Sequence, residues 1–211
     1  MMKSPRANVA LRIAMAALTF MATMQWHPAS VSAGEYIGND PVVAAHAERA
    51  LSAFERWQHN GDTVAYLEYV EARSETAAQV AISVGMLPEK VQNSWAEGDL
   101  GGQRAALAAL TQVGVPYKRY TEEEGVSFDC SGLTGYAWDR AGVDLPRSSR
   151  YQYRSADRVD PENARVGDLA WYPGHIMLYL GVDSLVVHSP ARGRTVEYGT
   201  LSEDRAGWVR F

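Results

Sequence analysis

The hydrophobic period of this chain changes once, near residue 100, and that change restricts the folds open to it. Between residues 41 and 98, Val43, Ala47, Ala50, Leu51, Phe54 and Trp57 recur at i, i+4, i+7, i+8, i+11 and i+14, one face of a helix. His59-Asn60-Gly61-Asp62 breaks that pattern, and Asp62 can cap a second helix carrying Val64, Leu67 and Val70 and running through Ala77, Val80, Ala81 and Val84 to Gly85. Pro88 suits the first turn of a short third helix ending near Gly98. Beyond residue 100 a helix is expected over 104–112 and another from near Cys130, followed by strand-like runs at 168–172, 176–181, 185–188 and 195–198. The order, helices first and then closely spaced short strands, predicts an α+β domain over 99–211 with helices packed on an antiparallel meander. A small all-helical region over 34–98 precedes it, either as a packed support, a lid over a cleft, or a docking surface.

The first 33 residues have a different character. Lys3, Arg6 and Arg12 precede or begin an apolar run over 13–24, no acidic residue occurs before Glu35, and Val31-Ser32-Ala33 forms a small-x-small site. That is the layout of a signal peptide cleaved before Gly34, so the protein is expected to be secreted, acting outside the cytoplasm. The apolar run is shorter than the roughly 20 residues a membrane-spanning helix needs, so no integral span is expected after processing, a retained membrane anchor being the minor alternative. Cleavage removes three basic residues and no acidic ones, taking the formal net charge from −5 to −8. Nucleic acid is excluded as a partner, because phosphate binding requires a basic surface.

There is one cysteine in the chain. In an exported protein it cannot close an intramolecular disulfide, so Cys130 is a buried filler, an intermolecular linker or a reactive thiol. Its setting is Phe128-Asp129-Cys130-Ser131-Gly132-Leu133, with Leu133, Tyr136, Ala137 and Ala141 at helical spacing and Gly142 closing the run. Cys130 thus stands at a helix N-terminus, where free backbone N–H groups and the dipole lower a thiol's pKa and can hold an oxyanion. A thiol nucleophile also needs a base, and the base needs a group to fix its tautomer. His175 opens a strand with Met177 and Tyr179 on its own face and Ile176, Leu178 and Leu180 on the other. His188 ends the next strand, so a turn over 181–184 would present both rings on neighbouring strands. Each His taken singly is better read as a satisfied or surface residue, and only the two together with Cys130 argue against that reading. His46 and His59 have no comparable context. The separations between Cys130, His175 and His188 match no zinc-finger spacing, so no metal is expected.

These segments resemble the NlpC family of papain-like bacterial cell-wall peptidases, over about 101–211. The matching pieces, in order, are Val113-Gly114-Val115-Pro116-Tyr117, Phe128-Asp129-Cys130-Ser131-Gly132-Leu133, Leu145-Pro146-Arg147-Ser148-Ser149 with Gln152, Val166-Gly167-Asp168-Leu169, Gly174-His175-Ile176 to Gly181, and Val187-His188-Ser189-Pro190. The resemblance implies a cofactor-free cysteine endopeptidase that hydrolyses peptidoglycan stem peptides, typically between D-γ-glutamyl and a diamino acid. It implies Cys130 as nucleophile, His175 as base and His188 as the residue orienting it. Tyr117 would line the site near the oxyanion, and Asp129 and Ser131 would read a free amino end of the stem. Tyr117 equally suits a packing role, and Asp129 a helix N-cap. Where the family commonly has an aromatic and two glycines after Pro-Tyr, this chain has Lys118-Arg119-Tyr120-Thr121 and then Glu122-Glu123-Glu124, so its loop path and substrate preference are expected to differ. Amide or acyl transfer through the same thiol, and a non-catalytic wall-binding module, are the alternative functions.

Overall fold

The structure is a computed structural model, and it describes residues 35–201 and 206–211. The expected signal peptide and its cleavage site lie outside the described residues. Strand β1 (Tyr36–Ile37) leads into α1 (Pro41–Asn60), α2 (Thr63–Ser83), α3 (Pro88–Glu97) and α4 (Leu100–Thr111). A small ribbon, β2 (Glu122–Glu123) and β3 (Ser127–Phe128), precedes α5 (Cys130–Arg140) and α6 (Ser149–Ser155). The remainder is β4 (Asp157–Val159), β5 (Leu169–Tyr172), β6 (His175–Tyr179), β7 (Leu185–His188), β8 (Glu197–Thr200) and β9 (Gly207–Arg210). The α+β architecture expected from the change of period is the one observed.

Local chemistry sets the helix ends. Asp40 accepts the N–H of Val43 (2.9 Å) with Pro41 in the first turn, and Gly61 closes α1 at φ +70°, a conformation that costs glycine nothing. Asp62 caps α2 through Val64 N–H (2.8 Å), as its sequence position suggests. Helix α4 starts four residues before the expected position because Asp99 caps it at Gly102 N–H (2.7 Å). The two glycines after Leu100 hid this start, since they weaken a helical pattern without preventing a well-capped helix.

The main sheet is antiparallel throughout, in the order β1-β8-β7-β6-β5-β9-β4. The meander from β5 to β8 matches expectation, but β8 begins two residues late. Residues 195 and 196 are used elsewhere: Thr195 bridges Pro116, and Val196 exchanges backbone bonds with Gly114 (2.9 Å) and Val115 (2.7 Å). Strands β1, β4 and β9 had no visible sequence signal, being two to four residues long. Ile176, Leu178, Leu180, Leu185 and Val187 turn toward the helices, whereas Met177, Tyr179, Val186, Ala170 and Trp208 form a second apolar layer on the other face. Both faces of β6 are therefore buried, in the alternation the sequence predicts. Helices α1 and α2 form a hairpin packed on α4, which in turn covers α5 and the sheet, so one core runs from Val43 to Val209.

Candidate active site

Phe128 is buried and Asp129 extended, so the chain enters α5 with Cys130 as its first helical residue. Backbone N–H groups of Ile176, Ser131 and Cys130 itself bear on the sulfur and favour its anion. Burial nonetheless dominates and, helped by the Asp129 carboxylate, pushes the Cys130 thiol above its ordinary pKa. This corrects the expectation drawn from helix position, which counted the dipole and omitted desolvation.

His175 is the first residue of β6, immediately before the Ile176 whose N–H meets the Cys130 sulfur. Its Nε2 lies 2.8 Å from Nδ1 of His188, and Nε2 of His188 lies 3.1 Å from Oε1 of Glu197. Glu197 is in turn held by Arg194, whose Nε donates to Oε2 (3.1 Å). This chain of bonds assigns the tautomers. A carboxylate can only accept, so His188 donates from Nε2 and accepts at Nδ1, and His175 must donate from Nε2. The free lone pair of His175 is thereby placed on Nδ1, which has no hydrogen-bond partner among the described residues. The two imidazoles meet edge-on (centroids 5.0 Å) between the rings of Tyr172 (5.3 Å from His175) and Tyr36 (4.8 Å from His188). Burial, with the His188 charge as a lesser cause, lowers the pKa of His175 to about 3, and burial likewise lowers that of His188.

Asp129 is the N-cap of α5 and more. Its Oδ1 accepts Gly132 N–H (2.8 Å) and Arg147 Nη1 (3.0 Å), and its Oδ2 accepts Tyr120 N–H (2.7 Å) and Arg147 Nη2 (2.9 Å). Arg147 also donates to Ser131 Oγ (3.0 Å), so the buried Asp129 and Ser131 and the exposed Arg147 form one hydrogen-bonded knot beside Cys130. Tyr117 shares the cleft with Cys130, and burial together with the nearby Cys130 and Asp129 charges raises its phenol pKa. The cleft encloses about 840 Å³, and its lining side chains all come from residue 117 onward.

The structure thus unites His175 with His188 directly, sets Cys130 against the start of β6, and groups Tyr117, Asp129 and Ser131 around the same cleft. Sequence reasoning missed Glu197, Arg194, Arg147 and Tyr36. A signal for Glu197 existed: Arg192-Gly193 marks a turn, and a hairpin centred there pairs His188 with Glu197, as the register shows. Arg147 lay in a recognised motif but had no visible partner. His46, assigned no role, pairs with Glu75 on the helical hairpin (3.2 Å). Among the described residues, no group of three or more His, Cys, Asp or Glu side chains could hold a metal ion.

Residues 114–208 match the NlpC/P60 family. A Mycobacterium tuberculosis protein named as a probable endopeptidase is 42% identical over 98 residues, covering 44% of this chain and 25% of the relative. The γ-DL-glutamyl hydrolase of Bacillus subtilis is 33% identical over 113 residues (49% of this chain, 27% of the relative). The peptidoglycan endopeptidase RipB of Mycobacterium tuberculosis is 44% identical over 73 residues (33% and 30%). The match therefore spans between a quarter and a third of each of these three relatives. Similar solved structures include an NlpC/P60 family protein from Bacillus cereus (TM-score 0.48, 29% identity, 52% of this chain and 40% of that one). Another is RipD of Mycobacterium tuberculosis, described as a non-catalytic NlpC/p60 domain protein adapted to peptidoglycan binding (TM-score 0.46, 30% identity, 54% and 98%). With the family match from 114 to 208 and relatives above 30% identity within the same half of the molecule, the C-terminal domain of this chain belongs to the NlpC/P60 family.

Proposed function

We propose that this protein is an exported cysteine endopeptidase that hydrolyses the γ-glutamyl bond to a diamino acid in peptidoglycan stem peptides. The observation that carries the reading is the Glu197–His188–His175 chain, which leaves one basic nitrogen on the strand that touches the Cys130 sulfur. Such a chain has no structural need to be buried, and its placement beside the single thiol suits nucleophilic catalysis. The names of the relatives agree with it, one acting on peptidoglycan and one on a γ-glutamyl bond. The wall lies outside the cytoplasm, which agrees with the leader-like first 33 residues.

In this mechanism Nδ1 of His175 takes the thiol proton as sulfur attacks the scissile carbonyl carbon. The oxyanion forms against the free N–H groups at the start of α5 and the Tyr117 hydroxyl. Collapse breaks the C–N bond, and His175 returns the proton to the departing amine. Water, deprotonated by His175, then opens the thioester and restores the thiol. His188 and Glu197 never leave their places; they hold the tautomer and offset the imidazolium charge.

The test is incubation of the wild type and Cys130→Ser with defined muropeptides, followed by mass spectrometry. Two fragments whose masses sum to substrate plus one water are expected from the wild type, and none from the variant. Equal activity in both would remove Cys130 from the mechanism. Amine adducts in place of acids would indicate transfer, and tight binding without turnover would indicate a wall-binding module.

A further inference from the structure

The cleft carries the opposite charge to the protein around it. The chain is acidic overall, at −5, yet Lys118, Arg119, Arg147 and Arg192 line the cleft against a single carboxylate, Asp129. Arg147 is committed to that carboxylate by two hydrogen bonds. Lys118, Arg119 and Arg192 are exposed and have no carboxylate partner among the described residues. Of the neighbouring acids, Glu122 is on Arg147 Nε (3.1 Å), Glu124 on Arg140 and Tyr136, and Glu197 on Arg194 and His188, while the exposed Glu123 does not line the cleft. Arg119 rests over the Tyr120 ring (5.0 Å), which leaves its charge unneutralised, and three cations without a carboxylate partner in one concavity around a nucleophile concentrate a positive field where the substrate must sit.

Their backbone is held in place. Lys118 N–H donates to Phe128 O (3.0 Å), and Tyr120 adopts φ +64°, rare for a residue with a Cβ, with its N–H bound to Asp129 Oδ2 (2.7 Å). Arg192 sits in the turn closed by Arg194 N–H to Ala191 O (3.1 Å). The same Asp129 that caps the nucleophile's helix therefore fixes the loop that presents Lys118 and Arg119. With its oxygens taken by Arg147 and backbone N–H groups, Asp129 is poorly placed to offset those charges.

A γ-peptide bond uses the side-chain carboxyl of glutamate and leaves its α-carboxyl outside the main chain. In wall stems that group is present either as a carboxylate or as a carboxamide. Resting on the γ-glutamyl reading above, we propose that Lys118, Arg119 and Arg192 form a carboxylate-reading subsite that selects stems with a free α-carboxylate over amidated ones.

The test compares kcat/KM on two synthetic stem peptides that differ only in carboxylate or carboxamide at that position, using the wild type and the triple variant Lys118→Gln/Arg119→Gln/Arg192→Gln, each at low and high salt. Three exposed charge contacts acting together should give the wild type a preference of about tenfold for the carboxylate, weakening as salt rises. The triple variant, shown folded by its thermal midpoint, should bring that ratio close to one. Equal rates on both peptides by the wild type, a preference indifferent to salt, or a variant that keeps the full preference would each overturn the subsite while leaving the γ-glutamyl reading intact. Cleavage of neither peptide would overturn the γ-glutamyl reading itself, and the subsite with it.

Discussion

At Cys130 and His175, burial holds both partners neutral, a thiol pushed up and an imidazole lowered to about 3. A preformed thiolate–imidazolium pair would instead show a thiol titrating well below its usual range. Between about pH 5 and 8 the alkylation rate of Cys130 by iodoacetamide should therefore keep rising with pH, without the early plateau an ion pair gives. The same shifts set a stability profile. Below the imidazole's unfolded value near 6.5 the unfolded chain binds protons that the folded His175 and His188 refuse, so acid favours unfolding. The thermal midpoint should fall as pH drops from about 6.5 toward 3, and His175→Asn should remove part of that fall. Glu197→Gln lets an amide N–H donate to His188 and reverse both tautomers, turning an N–H of His175 toward the thiol. We expect kcat to fall at least tenfold with little change in KM, on the scale of the roughly 10⁴-fold loss a wrong imidazole tautomer costs a catalytic triad. An unchanged kcat would show that the buried carboxylate only packs. Cys130, His175 and His188 were legible because each lies in a local motif. Glu197 and Arg147 were not, because their partners are set by strand register and by a loop crossing a helix, neither of which a local pattern records.

Among the elements, α5 and the loop ahead of it behave as one unit. A Cβ on Gly132 would lie 2.1 Å from the backbone oxygen of Thr121, so the loop carrying Lys118 and Arg119 rests directly on the first turn of the helix that begins with Cys130. Glycine is required there by close approach, since its helical φ is one any residue adopts. Gly132→Ala must lift the loop or shift the helix, and it should cost about 1–3 kcal/mol in urea unfolding and lower kcat/KM more than ten times. Full activity would mean the loop yields freely. Long elements with a clear period, α1, α2 and β5 to β7, were readable within a few residues. The short edge strands were not: β1 and β4 gain their pairing from β8 and β9 rather than from any preference of their own. Residues 195 and 196 were lost to the 114–117 segment for the same reason, a long-range partner outbidding a local pattern.

Over the whole molecule, α1 and α2 pack on α4, α3 is tied to the end of the β6 segment, and none of the described residues before 98 lines the cleft. Trp95 on α3 is fully buried and donates its indole N–H to Leu180 O (2.8 Å), and Ser94 Oγ donates to Gly181 O (2.7 Å), so α3 grips the end of the segment that begins with His175. Tyr69 on α2 donates to Gln103 on α4 (2.6 Å), and Tyr198 on β8 donates to Asp40 at the head of α1 (2.6 Å). Strand β1, ahead of those helices, completes the sheet edge and brings Tyr36 onto His188. A support tied to β8 and to the end of the β6 segment should unfold together with the sheet, whereas a lid would come away first. Trp95→Ala empties a large core site and strips Leu180 O of its partner, which should cost about 3–5 kcal/mol. In urea, helix loss followed by circular dichroism and exposure of Cys130 followed by thiol labelling should give coincident transitions in the wild type, and both should move to lower urea by the same amount in the variant. Thiol exposure that stayed at the wild-type midpoint while helix signal moved down would separate the helices from the sheet and make them an independent unit.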